Sequence, residues 1–187
     1  YKSWILKDSS SNTEFNLSNV VITDNIPKFD TISQKQQKID DSILKKYGEV
    51  KYTFDDPYVI NNPYGNAPLT SLALFKTDEE SEITVTIKGK KEIDDITYTI
   101  DGFKTEHQIP IIGLYANKNN TIILTAKTKN DISIEKKLRI KTKKIPESIK
   151  NKDLELVKSK PREMENGLTL IDDENRLLVD KSGNIRW

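Results

Sequence analysis

From about residue 69 to residue 142, apolar and polar side chains alternate in short runs broken by Gly, Asn and Asp. That is the pattern of half-buried strands joined by turns. The cleanest run is Ile83-Thr84-Val85-Thr86-Ile87, in which three β-branched apolar residues face one way and two threonines the other. Strands are predicted at Leu69 to Lys76, Glu82 to Lys88, Ile96 to Ile100, Gln108 to Ile112, Thr121 to Lys127 and Ile132 to Thr142. The turns between them fall at Asp78-Glu79-Glu80, Gly89, Asp101-Gly102, Asn117 to Asn120 and Asn130-Asp131.

Ahead of this region the period changes. Ser33 stands three residues before Gln36 in a capping-box arrangement, Ile39, Ile43 and Tyr47 recur at every fourth position, and Gly48 follows as a stop. An amphipathic helix from Gln34 to Tyr47 is expected. Val50, Tyr52 and Phe54 then alternate with Lys51, Thr53 and Asp55, which predicts a further strand before a turn at Asp55-Asp56-Pro57. Residues 1 to 30 carry Trp4-Ile5-Leu6 and Val20-Val21-Ile22 around a Ser-rich stretch, as a loose hairpin or two edge strands would.

Beyond Ile145 the chain reads as a charged linker with Pro146 and Pro161, then as very short strands at Leu168 to Ile171, Arg176 to Asp180 and Ile185 to Trp187. The resulting division is 1–54 for N-terminal strands and helix, 55–145 for a β-sandwich, and 146–187 for linker and short strands. The fold class is mainly β: an immunoglobulin-like antiparallel β-sandwich with one N-terminal amphipathic helix and a C-terminal β-hairpin extension. Tyr115 sits where a tyrosine locks the corner between two sheets in such domains, and a plain core tyrosine fits equally.

The loop Asn61-Asn62-Pro63-Tyr64-Gly65-Asn66-Ala67-Pro68-Leu69-Thr70 holds two prolines, which push Asn62 and Ala67 towards extended backbone and leave the reversal to Tyr64-Gly65-Asn66. Together with Asp56-Pro57-Tyr58, Glu106-His107 and Ile109-Pro110-Ile111-Ile112-Gly113-Leu114-Tyr115, it resembles the N-terminal domain of bacterial aryl-sulfate sulfotransferases. The resemblance runs from about Ile32 to Thr142. It implies that a catalytic six-bladed β-propeller begins near the C-terminus, with Asp180-x-x-Gly183-x-x-x-Trp187 as its first hairpin. It further implies that the whole protein moves a sulfuryl group from a phenolic sulfate ester to a phenol, outside the cytoplasm, through a histidine on the propeller.

No position of this chain matches that histidine motif. His107 is the only histidine, and Glu106 beside it points to the opposite face of a strand, so the pair is not arranged for proton transfer. A structural hydrogen bond is its expected role. No catalytic, cofactor-binding or metal-binding residues are assigned; the acidic runs at Asp78 to Glu80, Asp94-Asp95 and Asp172 to Glu174 lack EF-hand spacing and read as solvated turns.

Composition narrows the partners. Thirty basic and 29 acidic side chains leave a net charge of +1, so no long-range field draws a polyanion. The basic run Lys136 to Lys144 lacks the aromatics that stack on bases, and a Lys-protected sheet edge is expected there rather than nucleic-acid binding. Cysteine is absent, which removes thiol chemistry and disulfides, and no apolar run is long enough to span a membrane. Tyr58, Pro63, Tyr64, Asn66, His107 and Tyr115 are the candidate contact residues towards the protein's own propeller or a second subunit of a homodimer. The competing reading is an immunoglobulin-like binding or spacer module of an exported bacterial protein.

Overall fold

A computed structural model describes residues 29–145, 160–165, 167–171 and 177–187. Residues 1–37 and 38–187 form two compact units. Of the first, only the opening turns of a helix are described; the hairpin or edge strands expected in residues 1 to 30 lie, except for helical Phe29 and Asp30, outside the described residues, as does the Asp172 to Glu174 turn.

The helix α1 spans Phe29–Glu49 and so begins earlier than the Ser33 signal implies. Nothing between Pro27 and Ser33 breaks a helix, and the capping-box pair is simply carried inside it. Its expected stripe holds: Ile43 is buried, and Ile39 and Tyr47 are half-buried. Tyr47 continues this face by stacking on Tyr52 at 5.8 Å between ring centroids, and Tyr52 stacks on Tyr58 at 5.0 Å.

Val50 to Phe54 does not form the expected strand. Thr53 makes an isolated parallel bridge to Lys76, and the chain turns back through a Thr53 to Asp56 pair of backbone hydrogen bonds. The neighbouring edge of β2 (Thr70–Ile87) is already taken from Ser71 to Leu74 by β1 (Tyr58–Asn61), a strand the alternation did not mark. Phe54 is instead delivered singly into the core, edge-on to Phe75.

Two expected turns prove to be bends within continuous strands. Leu69 to Lys76 and Glu82 to Lys88 belong to the single strand β2, and Ile96 to Ile100 and Gln108 to Ile112 to the single strand β3 (Ile96–Ile112). The antiparallel register of β2 with β3 shifts between Lys76 and Ser81 and again between Ser81 and Ile83, opposite the Gly102 region. Acidic residues and a glycine at φ 96° relax the pairing there without ending it, because the same two strands pair on both sides of the bulges.

β4 (Asn119–Thr128) pairs with the second half of β2, and β5 (Ser133–Lys141) with β4. The sheet therefore curls on itself at the bulges. Ala73, Phe75, Ile109 and Ile111 from one half meet Ile83, Val85, Ile87, Ile122, Leu124 and Ala126 from the other in one buried cluster. The Asn61 side-chain amide at the end of β1 donates to the Lys141 carbonyl at the end of β5, at 3.1 Å. On the outer face Thr84 bonds Thr99 at 2.9 Å and Thr86 bonds Thr97 at 3.1 Å, so the Ile83 to Ile87 alternation divides as expected.

At the C-terminus β6 (Thr169–Ile171) and β7 (Leu177–Val179) form a separate two-stranded antiparallel sheet. The chain then folds back through residues 180–184 so that Ile185 bridges Val179, and Leu178 exchanges backbone hydrogen bonds with Arg186 and Trp187.

Candidate functional site

The Pro-containing loop is specified differently from expectation. Asn62 is not extended: its φ is 47°, in the left-handed region that asparagine tolerates. There its carbonyl accepts from the Gly65 amide at 3.0 Å and its side-chain oxygen from the Ala67 amide at 2.8 Å. The local hydrogen bonds of Asn62 outweigh the extended bias that Pro63 imposes. Tyr64 remains 41% exposed, and its hydroxyl donates to Asp40 of α1 at 2.6 Å. Asn66 is exposed, and Pro63 and Tyr58 are half-buried.

His107 is 6% exposed, stacked on Phe75, with its Nε2 at 3.0 Å from the Thr77 hydroxyl. Burial pushes its pKa below the usual 6.5. The ring thus pins β3 to the bulge of β2, a structural hydrogen-bonding role. Beside the same bulge an open cleft of about 310 Å³ is lined by Phe54, Ala126, Ile132 and Ile134 together with hydroxyls and carboxylates.

The densest constellation lies at Tyr115. Gly113, at φ 97°, turns the chain out of β3 and brings Tyr115 against the C-terminal hairpin. The Tyr115 hydroxyl donates to Asp180 Oδ2 at 2.8 Å and accepts the Lys90 amide at 3.0 Å. Arg186 lies over the Tyr115 ring, with its guanidinium carbon 3.8 Å from the centroid. Its Nε donates to the Gly113 carbonyl at 2.7 Å, and its Nη1 to Asp180 Oδ2 at 3.0 Å and to the Asp94 carbonyl at 3.2 Å.

Asp180 organises the hairpin around itself. Its Oδ1 accepts the backbone amides of Ser182 and Asn184 and the Asn184 side-chain amide, and Gly183 at φ 79° completes the turn. Ser182 in turn donates to the Asp94 carboxylate at 2.8 Å, and Lys90 to the Asn184 side-chain oxygen at 2.5 Å. Behind the ring, Asn120 fixes Tyr115 by accepting its amide and donating to its carbonyl.

Electrostatics follow from this packing. Burial pushes the Tyr115 hydroxyl up to about 12, reinforced by its bond to Asp180 and opposed by the Lys90 amide and Arg186. Burial works to raise the Asp180 carboxyl as well, but hydrogen bonds from Asn184, Tyr115 and Arg186 outweigh it and hold the group below its usual range. The Tyr115 proton is directed to an ionised carboxylate and its oxygen is already an acceptor. The cluster joins the corner after β3 to the C-terminal hairpin. Among the described residues, no group of three or more His, Cys, Asp or Glu is placed to hold a metal ion.

Sequence patterns found Tyr115 and the Asp180 turn but not their partners. Asp94 read as a solvated turn residue, yet it is buried. Arg186, flanked by Ile185 and Trp187, carried no signal of burial; alternation would place it on a wet face, whereas it is fully enclosed.

These features define an immunoglobulin-like β domain with a C-terminal hairpin held on one corner. Residues 58–143, which begin with β1 and end just past β5, match the arylsulfotransferase Ig-like domain family. Over 67 residues, 34% of this chain, the sequence is 40% identical to the arylsulfate sulfotransferase AssT of Escherichia coli. That stretch spans 11% of the relative's length. Residues 58–143 form an arylsulfotransferase N-terminal domain, as the Pro-containing loop and the Tyr115 segment implied.

Proposed function

We propose that this chain is the noncatalytic N-terminal part of an arylsulfate sulfotransferase, and that the whole protein moves a sulfuryl group from a phenolic sulfate ester to a phenol. The observation that carries the reading is the coincidence of the family match with β1 to β5. His107 is buried and hydrogen-bonded, and Tyr115 and Asp180 are bonded to each other.

In this reading the domain is a scaffold outside the cytoplasm. It packs against the protein's own β-propeller through the Tyr115 corner and the hairpin, and the exposed Tyr64 and Asn66 loop contributes to subunit contact in a homodimer. No helix among the described residues is long and apolar enough to cross a membrane. The 187-residue chain should give no transfer from p-nitrophenyl sulfate to phenol, measured by the absorbance of released p-nitrophenolate. Steady turnover by the isolated chain would overturn the noncatalytic assignment.

A further inference from the structure

We propose that the Gly113 to Tyr115 corner is a recognition site for a β-turn that carries a carboxylate at its first position and a guanidinium six residues later, and that the chain's own Asp180 to Arg186 segment is its occupant in cis. The inference does not depend on the sulfotransferase reading.

The attachment of the segment is made by side chains. β6 and β7 form their own sheet, and neither pairs with any of β1 to β5. Among the described residues, the backbone hydrogen bonds of 177–187 run to β6 through the β6–β7 pairing and within the segment itself, between Leu178 and Arg186 or Trp187 and between Asp180 and Gly183 or Asn184. A strand joined to the main sheet would share its ladder. This one does not, so side-chain contacts fix it to the corner.

The receiving surface presents a matched set of groups. Two carbonyls, of Gly113 and Asp94, accept the guanidinium of Arg186 while the Tyr115 ring stacks on it. The Tyr115 hydroxyl, oriented by the Lys90 amide, donates to the carboxylate of Asp180. All these groups lie within residues 58–143, whereas Asp180 and Arg186 lie outside that span. The planar fork of arginine meets acceptors on more than one side, a geometry a lysine does not reproduce. The guanidinium has no exposure; its Nε and Nη1 meet three acceptors while its Nη2 meets none, so the read-out rests on those two nitrogens, and an occupant lacking them leaves the Gly113 and Asp94 carbonyls without this partner.

The test uses the full 187-residue chain. In Arg186→Met, hydrogen exchange at the Leu178 and Arg186-position amides should accelerate at least about tenfold, the loss expected for one charged hydrogen-bond set, while amides of β2 and β4 keep their wild-type rates. Arg186→Lys should recover only part of the protection. A synthetic peptide of residues 177–187 added to Arg186→Met should bind, as read by slowed exchange at the Leu114 and Tyr115 amides. The same peptide with methionine in place of the arginine should not. Unchanged exchange in the segment, or β2 and β4 accelerating with it, would show a cooperative core in place of a recognition site. Equal binding of the two peptides would overturn the proposal as well.

Discussion

The Tyr115 hydroxyl donates to Asp180 Oδ2 at 2.8 Å across 65 positions of sequence, joining the end of β3 to the C-terminal hairpin. Removing the hydroxyl leaves one lone pair of a buried carboxylate and the Lys90 amide without this partner. Tyr115→Phe should therefore lower stability by about 1–3 kcal/mol, seen as a reduced midpoint in urea with an unchanged slope. A midpoint equal to that of the wild type would mean the bond contributes nothing net.

Alkaline pH reports on the same hydroxyl. Burial raises both Tyr115 and Tyr98 from 10.0 to about 12, at Tyr98 against the Ile112 amide that donates to its hydroxyl. A group raised in the folded state stabilises fully below its unfolded value and loses that contribution as pH climbs through the folded one. Stability should thus fall between pH 10 and about 12. In Tyr98→Phe, thermal melts across this window should show a shallower fall.

The acid side has two windows. His107 is lowered from 6.5 by burial, so the unfolded chain takes up a proton before the folded one does, and stability begins to drop as pH falls below 6.5. His107→Gln should remove that component while leaving the later loss due to Asp180, whose contribution is complete above 3.8 and declines as pH passes through its depressed folded value. Urea midpoints at successive pH values separate the two. A wild-type profile that is flat from pH 7 to 5 would contradict the role of His107.

Gly113 combines two demands at one position. Its φ of 97° disfavours any L side chain, and a Cβ there would lie 2.6 Å from Ile96 Cδ1. Gly113→Ala should cost about 1–3 kcal/mol and displace the carbonyl that receives Arg186 Nε. Near-wild-type melting together with an intact Arg186 environment would show that the corner can shift freely.

The two faces of β2 should respond very differently to truncation. Ile83 is buried in the core, whereas Thr84 faces outward and bonds Thr99. Ile83→Ala should cost about 2–5 kcal/mol and Thr84→Ala under about 1 kcal/mol, compared by equilibrium denaturation. Similar losses at both positions would mean that the outer face is covered in solution.

Period-two alternation in Ile83 to Ile87 and fourfold spacing in Ile39, Ile43 and Tyr47 were sufficient to assign strand, helix and the buried face of each, because these patterns are set by local backbone geometry. The Pro-containing loop and the Tyr115 segment were distinctive enough to mark the arylsulfotransferase domain. Local signals failed where pairing decided the outcome. Asp78 to Glu80 and Asp101-Gly102 have the composition of turns, but β2 and β3 stay paired on both sides and absorb them as bulges. Val50 to Phe54 has the alternation of a strand, but β1 occupies the edge it needed.

By itself, then, the sequence determined a β-rich domain and its apolar faces, since each depends on neighbours within a few residues, and the likeness of residues 58–143 to the arylsulfotransferase Ig-like domain. Tertiary structure alone decided that one long hairpin curls to make both halves of the core, and that Arg186 is buried. An arginine between two apolar residues is ordinarily wet. Here carbonyls from Gly113 and Asp94, the Tyr115 ring and the Asp180 carboxylate meet around it. Asp94 lies 92 positions away and Gly113 73, so no local pattern encodes their meeting.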